Sequence, residues 1–308
     1  MFKGFSALVF AASLQASPET AWQQAWLDVQ TLAADDMAGR APGTPGSQLA
    51  QAYIASRFLQ LNLAPMTARF QQDFSQPILW SAPLQGTNLV GMRRGCVFPS
   101  KYMIITAHYD HLPVQGNKIF NGADDNASGV AGLLYLAAQS AVQCPAYTQV
   151  FVATDAEERG LFGAKWFWQQ WPHKSQVVMN LNLDMISRGE HDATLYLAGS
   201  AQFPKLRQIA AKVSAEHSRI RLVLGRDRRV TRTMGADTTD WANASDHAIF
   251  RRAGIAYGYF GVDTHPQYHT PDDDWQRINP EFFQQVLLMI ADTWRQLDAL
   301  PPEEFKRR

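Results

Sequence analysis

Short apolar runs alternate with longer stretches of helical spacing along most of the chain, a pattern typical of an α/β fold. The predicted strands cover residues 102–106, 149–153, 177–183, 194–197, 220–224 and 255–260. The predicted helices cover residues 20–34, 47–61, 127–142, 160–170, 204–217, 246–253 and 280–297. No repeat or long polar linker interrupts this order, so the sequence predicts one α/β domain with a largely parallel sheet.

The N-terminal segment has the layout of an export signal. Lys3 precedes an apolar run that ends at Leu14, and small residues follow. The run is shorter than the ~20 apolar residues that a membrane span needs, and an N-terminal core helix is the alternative. We expect residues 1–16 to be a signal peptide, residues 17–308 to form one domain, and the protein to be exported to a periplasm or the medium.

The charge balance argues against partners that are recruited by bulk charge. Lys and Arg total 28 and Asp and Glu total 28, so the formal net charge is zero. No long-range field of the chain would attract nucleic acid or an anionic membrane surface. With 46% hydrophobic residues over 308 positions, the chain is long and apolar enough to form a globular domain.

The two cysteines, Cys96 and Cys144, each lie just before a predicted strand. If those strands are neighbours in one sheet, the thiols could lie within the ~6 Å Cα separation that a disulfide requires. Export would make the bond chemically permissible. Two unrelated, half-buried thiols are the alternative, and the sequence leaves both open.

Acidic and imidazole side chains are concentrated where predicted strands end, which is where open α/β sheets build their sites. These residues are His108 and Asp110 after the first strand, Asp124 and Asp125 in the following loop, Glu157 and Glu158 after the second strand, Asp184 after the third, and His269, Asp272 and Asp273 far downstream. Imidazoles and carboxylates with almost no thiols are a ligand set suited to zinc or a similar divalent ion. A pair of such ions about 3.5–4 Å apart needs one carboxylate that reaches both, and an Asp in a tight turn is a candidate for that bridge.

Each of these features has a simpler explanation when it is taken alone. A His-x-Asp sequence is more often a hydrogen-bonded pair than a metal site, and the Asp-Asp-Asn run before an apolar helix could be an N-terminal cap. The Glu-Glu pair before a helix could complement the helix dipole. Asp184 is harder to explain, because an ionised carboxylate at the end of an apolar strand is costly without a cation or hydrogen-bond donors. The joint occurrence of these groups, each at a strand end, favours a metal site.

Several motifs between residues 35 and 280 resemble, in the same order, those of the M28 zinc peptidases, the co-catalytic aminopeptidases of the bacterial leucyl aminopeptidase type. The motifs are DMAGR and GTPG near the N-terminus, then AHYDH, GADDNASG, DAEERGLFGA, NLDM, SDHAIFRRAGI and YHTPDD. The resemblance implies a single α/β domain with a mixed, mostly parallel twisted central sheet that is flanked by helices on both faces. It also implies the hydrolysis of N-terminal residues from peptides or proteins, with two zinc ions per chain.

The same resemblance implies a role for each site residue. The metal ligands would be His108 and Asp184 for one zinc, Glu158 and His269 for the other, and Asp125 as the bridge between them. Glu157 would act as the general base that takes a proton from the attacking water and returns it to the leaving amine. Asp110 would orient His108, as ligating histidines usually require, and Asp246 would support the site in a similar way.

Two features depart from the pattern of the family. Its members often have a Tyr hydroxyl that assists the oxyanion in the loop before the Ser-Asp-His motif, whereas residues 229–256 contain no Tyr and offer Trp241 instead. The protease-associated insert of some relatives is also absent, so specificity would come from loops of the catalytic domain itself. Met185 and the aromatic segment 257–260 could line an apolar pocket there.

Three other functions are weighed against this expectation. An amide deacylase or dipeptidase of the related M20 type uses a similar ligand order, but it lacks the GADDNASG setting of the bridging acid. Glutaminyl cyclisation is a transferase reaction on the same fold with one zinc. A non-catalytic binding domain would have no physical need to keep Glu157 beside a complete ligand set.

Overall fold

A mixed nine-stranded sheet forms the centre of the molecule in the computed structural model, which describes residues 18–189, 192–225 and 240–306. The strands are β1 (Ala64–Pro65), β2 (Gln71–Gln76), β3 (Leu84–Arg93), β4 (Phe98–His108), β5 (Tyr147–Thr154), β6 (Val177–Leu183), β7 (Thr194–Ala198), β8 (Arg221–Leu224) and β9 (Ala256–Gly261). They are ordered β1-β3-β5-β4-β6-β9-β7-β8, and β2 pairs with β3 along the same edge as β1.

Four adjacent strands, β5, β4, β6 and β9, run parallel and form the middle of this sheet. On its two sides, β3 is antiparallel to β5 and β7 is antiparallel to β9. All eight positions of β5 are buried, as expected for a parallel strand that is covered on both faces. The expected fold class is therefore confirmed, and the carboxyl ends of the four central strands meet at one edge.

Helices cover both faces of the sheet. They are α1 (Pro18–Leu32), α2 (Pro45–Gln60), α3 (Gly129–Val142), α4 (Phe162–Gln170), α5 (Pro204–Glu216), α6 (His247–Arg252) and α7 (Pro280–Asp298). Side chains of β4 alternate between the two faces, as strand geometry requires. Ile105 belongs to the core that includes Leu133 of α3 and Val286 of α7. Ile104 belongs to a second core, which includes Phe167 of α4.

Strands β1, β2 and β3 were not predicted, because the sequence between residues 62 and 95 has no regular apolar pattern. Two glycines of β3 lie where neighbouring side chains occupy the space of a Cβ atom. A Cβ at Gly86 would lie 2.3 Å from Cζ of Phe74, and a Cβ at Gly91 would lie 2.9 Å from Cδ1 of Leu63. Glycine inside a strand often marks such close packing, and here it also interrupts the alternation by which a strand is recognised.

Some predictions concern parts of the chain outside the described residues. The signal peptide assigned to residues 1–16 lies there, and so does most of the segment before the Ser-Asp-His motif. Among the helices of the described ranges, none combines the length and the apolar character that crossing a bilayer demands.

The two cysteines form a disulfide. Cys96 and Cys144 are bonded, with their Cα atoms 6.1 Å apart. They precede β4 and β5, which are parallel neighbours, so the two loops enter the sheet side by side. The backbone N–H of Cys96 also donates to the oxygen of Pro145 at 2.8 Å. Of the two alternatives that the sequence left open, the paired one is correct.

Replacing both residues in a Cys96→Ser/Cys144→Ser variant should lower the free energy of unfolding by about 2–4 kcal/mol, because the bond closes a long loop in the unfolded chain. The separation of the cysteines is 48 residues. Denaturant titration under oxidising conditions measures the difference. Wild-type protein titrated with reductant should lose a similar amount, and the variant should not respond to reductant. Equal stability of oxidised and reduced wild type would contradict the prediction.

Candidate metal centre

The predicted metal ligands come together at the carboxyl edge of the central strands. His108 is the last residue of β4, Asp184 follows β6 directly, and Asp125 lies in the turn before α3. Glu158 lies in the turn after β5, and His269 lies in the loop after β9. Residues that are far apart in the sequence become neighbours here because parallel strands end at the same edge of a sheet.

These side chains form two groups of donor atoms that share Asp125. In the first donor group, His108 Nε2 lies 3.3 Å from Asp184 Oδ1 and 3.3 Å from Asp125 Oδ1. In the second donor group, His269 Nε2 lies 3.1 Å from Asp125 Oδ2 and 3.1 Å from Glu158 Oε1. Asp125 therefore presents one carboxylate oxygen to each group.

The donor atoms fit divalent metal ions. Within each group they all lie within 4.8 Å of one another. A tetrahedral zinc site with bonds of 2.0–2.1 Å has ligand atoms about 3.3 Å apart, which agrees with the separations above. Asp125 and Asp184 are only 3% and 6% exposed, and carboxylates so buried require cations or hydrogen-bond donors. Imidazole nitrogens and carboxylate oxygens are donors that zinc accepts.

Asp110 connects the two donor groups. His108 Nδ1 lies 3.1 Å from the backbone oxygen of Asp110 and 3.6 Å from its Oδ1. The Asp110 carboxylate also accepts hydrogen bonds from the backbone N–H groups of Glu157, at 3.0 Å, and Glu158, at 3.4 Å. One buried carboxylate thus contacts both the His108 ring and the turn that carries the two glutamates.

Behind the ligands, buried charged groups hold the backbone of the turn that carries Asp125. The Asp273 carboxylate accepts hydrogen bonds from the N–H groups of Asp124, at 3.1 Å, and Asp125, at 3.0 Å. The Arg40 guanidinium donates to the backbone oxygens of Tyr109, at 2.6 Å, and of Gly122, at 3.0 Å. It therefore ties the loop after β4 to the turn before α3. Both residues lie in the sequence motifs, but no role was predicted for either of them.

The charges around the site shift the pKa values of Asp125 and Glu157 in opposite directions. Burial alone would raise the pKa of Asp125, but the neighbouring histidines hold it well below its usual range. Burial raises the pKa of Glu157, and nearby carboxylates keep it well above the usual range of a glutamate. Asp125 is therefore an anion among imidazoles, whereas Glu157 readily holds a proton.

One further imidazole lies at the site. Nδ1 of His111, the second histidine of the AHYDH motif, lies 3.0 Å from Glu158 Oε1 and 3.7 Å from Asp125 Oδ2. No role was predicted for this residue from the sequence. The signal that could have found it was its position in the loop that begins where β4 ends.

A cavity of about 50 Å³ lies beside the ligands. Its lining includes His108, Asp125, Glu158 and Asp184, together with Glu157, Met185, Trp241, Tyr259 and Tyr268. Met185 and Tyr259 were among the residues expected to line a pocket, whereas Phe260 packs in the main core. Tyr259 and Tyr268 bring hydroxyl groups to the cavity from outside the segment in which a tyrosine was sought. A larger cavity, about 490 Å³, lies beside the disulfide and shares no lining residue with this one.

This combination of an α/β sheet with a ligand cluster at its carboxyl edge agrees with the family to which the sequence motifs point. The model of peptidase family M28 matches residues 88–294. The chain therefore belongs to peptidase family M28.

Relatives of the chain include aminopeptidase YwaD of Bacillus subtilis, which is 28% identical over 194 residues. That match covers 59% of this chain and 38% of YwaD, so the chain spans well under half of that relative. Among solved structures, a zinc aminopeptidase from Bacillus subtilis has a TM-score of 0.70 at 17% identity, covering 90% of this chain and 94% of that one. A glutaminyl cyclase from Bacteroides thetaiotaomicron has a TM-score of 0.68 at 18% identity, covering 88% and 96%. Both structures share the fold of this chain.

Zinc should bind more tightly as pH rises. Burial would lower the pKa of His269, but the carboxylates of Asp125 and Glu158, each 3.1 Å from its Nε2 atom, raise it to about 10. Zinc binds the neutral imidazole, so binding must release this proton at any pH below that value. Calorimetry in buffers of different ionisation enthalpy counts the protons released, and a His269→Gln variant should release one fewer. An affinity that does not change with pH would contradict the prediction.

Proposed function

We propose that the protein is a zinc-dependent aminopeptidase that removes N-terminal residues from peptides. The observation that carries the proposal is that the two oxygens of Asp125 face two separate donor groups. Family membership supports peptide hydrolysis, and the relative YwaD is named as an aminopeptidase. The same membership argues against the M20-type deacylase.

The two donor groups are assigned to two zinc ions. The ligands are His108, Asp125 and Asp184 for one ion, and Asp125, Glu158 and His269 for the other. A zinc pair in such a site lowers the pKa of a coordinated water and polarises the scissile carbonyl. The residues of this chain supply the ligand positions, the proton transfer and the shape of the cavity.

Glu157 is the proposed general base. It lines the cavity with the ligands, but it belongs to neither donor group, so its carboxylate is available for proton transfer. Burial and the surrounding carboxylates raise its pKa, which favours a group that takes a proton from the attacking water and then gives it to the leaving amine. Asp110 keeps Glu157 in place through the backbone N–H of that residue.

The free amino group of the substrate is the proposed determinant of end-specific cleavage. The cavity is small, about 50 Å³, and Asp125, Glu157, Glu158 and Asp184 lie on its wall. A small cavity favours a chain terminus over a peptide that passes through the site, and carboxylates favour a positively charged amine. Peptides with a blocked N-terminus are therefore expected to bind poorly.

Glutaminyl cyclisation is the second candidate, because a glutaminyl cyclase shares the fold. It is disfavoured by the shared carboxylate of Asp125, since the cyclase reaction is expected to use one zinc. The two candidates differ in their products and in their metal content.

A panel of peptides tests the function directly. The metal-loaded protein should release the first residue of a peptide that starts with Leu, leave the acetylated peptide intact, and lose activity with a chelator. It should not convert a peptide that starts with Gln into the cyclised product. Cyclisation of the Gln peptide without hydrolysis of the Leu peptide would favour the cyclase instead.

A Glu157→Gln variant should lower kcat by about 10²–10⁴-fold, the usual contribution of a positioned base. Because Glu157 lies outside both donor groups, the variant should keep the zinc content of the wild type, as measured by metal analysis. Glu281→Gln, a change at an exposed glutamate in the first turn of α7, is the matched control and should leave kcat unchanged. Normal turnover in metal-replete Glu157→Gln would reject the assigned base.

A further inference from the structure

His111 is a buried residue at the metal centre that the mechanism above does not use. We propose that its Nδ1 atom is an additional ligand of the zinc held by the second donor group, so that this ion has four protein ligands and the other has three. The inference rests on the proposed two-zinc site. It adds a ligand to that site and predicts that the two ions are bound unequally.

The distances around His111 are those of a ligand set. Its Nδ1 atom lies 3.0 Å from Glu158 Oε1 and 3.7 Å from Asp125 Oδ2. The His269 Nε2 atom lies 3.1 Å from each of the same two oxygens. All four atoms lie within 4.8 Å of one another. These separations bracket the edge of about 3.3 Å expected between ligands of a tetrahedral zinc ion.

The fold holds the His111 ring in this place. Its side chain is almost fully buried, with 1% of the residue exposed. The ring packs against Gly122, where a Cβ atom would lie 2.5 Å from Cγ of His111, and Gly122 has a φ of +54°. Only glycine adopts such a backbone conformation at no steric cost. Arg40 fixes that glycine by donating a hydrogen bond to its backbone oxygen.

The surroundings of His111 differ from those of a histidine in the same protein that forms a hydrogen bond with a single carboxylate. His265 is also buried, and its Nε2 atom lies 3.2 Å from one carboxylate, that of Asp124. Nδ1 of His111 instead faces two carboxylates that both belong to the second donor group. Its Nε2 atom has no hydrogen-bond partner within the described residues, so Nδ1 is the atom through which the ring interacts with the site.

The extra ligand makes the two zinc positions chemically different. Four protein ligands are typical of a closed zinc site, whereas three leave a position for water or substrate. The first donor group, with His108, Asp125 and Asp184, would keep the open position. Glu157 lines the same cavity as His108 and Asp184. The ion next to His111 should therefore be the tightly held one, and the ion of the first donor group the exchangeable one.

Two variants separate a ligand from a hydrogen-bond donor. His111→Asn keeps an amide N–H near the place of Nδ1, which can still donate to Glu158, but an amide is a poor zinc ligand. His111→Ala removes both functions. His217→Asn is the matched control, because His217 lies 2.7 Å from Asp292 and belongs to neither donor group. Zinc affinity by chelator competition, metal content and the visible spectrum of the cobalt-loaded protein are measured for each variant.

Both His111 variants should lower the zinc affinity of the tighter of the two binding steps by at least ~100-fold. Loss of a residue that only supports a ligand lowers metal affinity by up to about this factor, so loss of a ligand itself should reach or exceed it. Both should also change the cobalt spectrum of the first equivalent, and the control should match the wild type. If His111→Asn keeps the affinity and spectrum of the wild type while His111→Ala loses them, His111 is a hydrogen-bond donor and the proposal is overturned.

A measurement on the wild type does not depend on how the variants fold. X-ray absorption of protein loaded with one equivalent of zinc should show two imidazole ligands, those of His111 and His269, whereas a single imidazole would overturn the proposal. The proposed function is tested independently of the His111 ligand. If the wild type binds zinc with two imidazoles at the tighter position but does not cleave peptides, the aminopeptidase function is refuted. The assignment of His111 as a ligand is then still supported.

Discussion

The carboxylate of Asp125 is the group on which the arrangement of the site depends. One of its oxygens lies 3.3 Å from His108 Nε2 and the other lies 3.1 Å from His269 Nε2. An aspartate that is 3% exposed is costly unless positive charge or hydrogen-bond donors surround it. The loops at the carboxyl edge of the sheet therefore have to place their histidines and other ligands around this carboxylate. They can do so because the central strands are parallel and end at the same edge.

Residues outside the two donor groups hold these loops in place. Asp273 accepts hydrogen bonds from two backbone N–H groups of the Asp125 turn, and Arg40 donates to the backbone oxygens of Tyr109 and Gly122, which precede that turn. The side chain of Asn126 donates to the oxygen of Leu183 and accepts from the N–H of Met185, which joins the same turn to the end of β6. Hydrogen bonds of this kind position ligands before any ion arrives, so less ordering is needed on binding.

The sequence alone indicated those features of the fold and the site that depend on residues close together in the chain. The apolar runs of the central strands β4, β5, β6 and β9 were recognisable because buried parallel strands need them, and the acids and histidines that follow these strands indicated the metal site. Strand β3 was missed because Gly86 and Gly91 interrupt its apolar pattern. They are glycines because side chains of other segments pack closely against them. His111 was missed for a similar reason: its role depends on Glu158, which follows a different strand. Contacts between distant segments leave no periodic trace in the sequence.

The disulfide and the metal centre lie at opposite ends of the same strands. Cys96 precedes β4, whose eleven residues end at His108, so about 35 Å of extended chain separates the bond from the ligand. The end of the molecule that carries the crosslink is thus remote from the candidate metal centre. A dye, an affinity handle or a solid support attached there would leave the candidate metal centre clear, which makes this surface the natural choice for immobilising the protein.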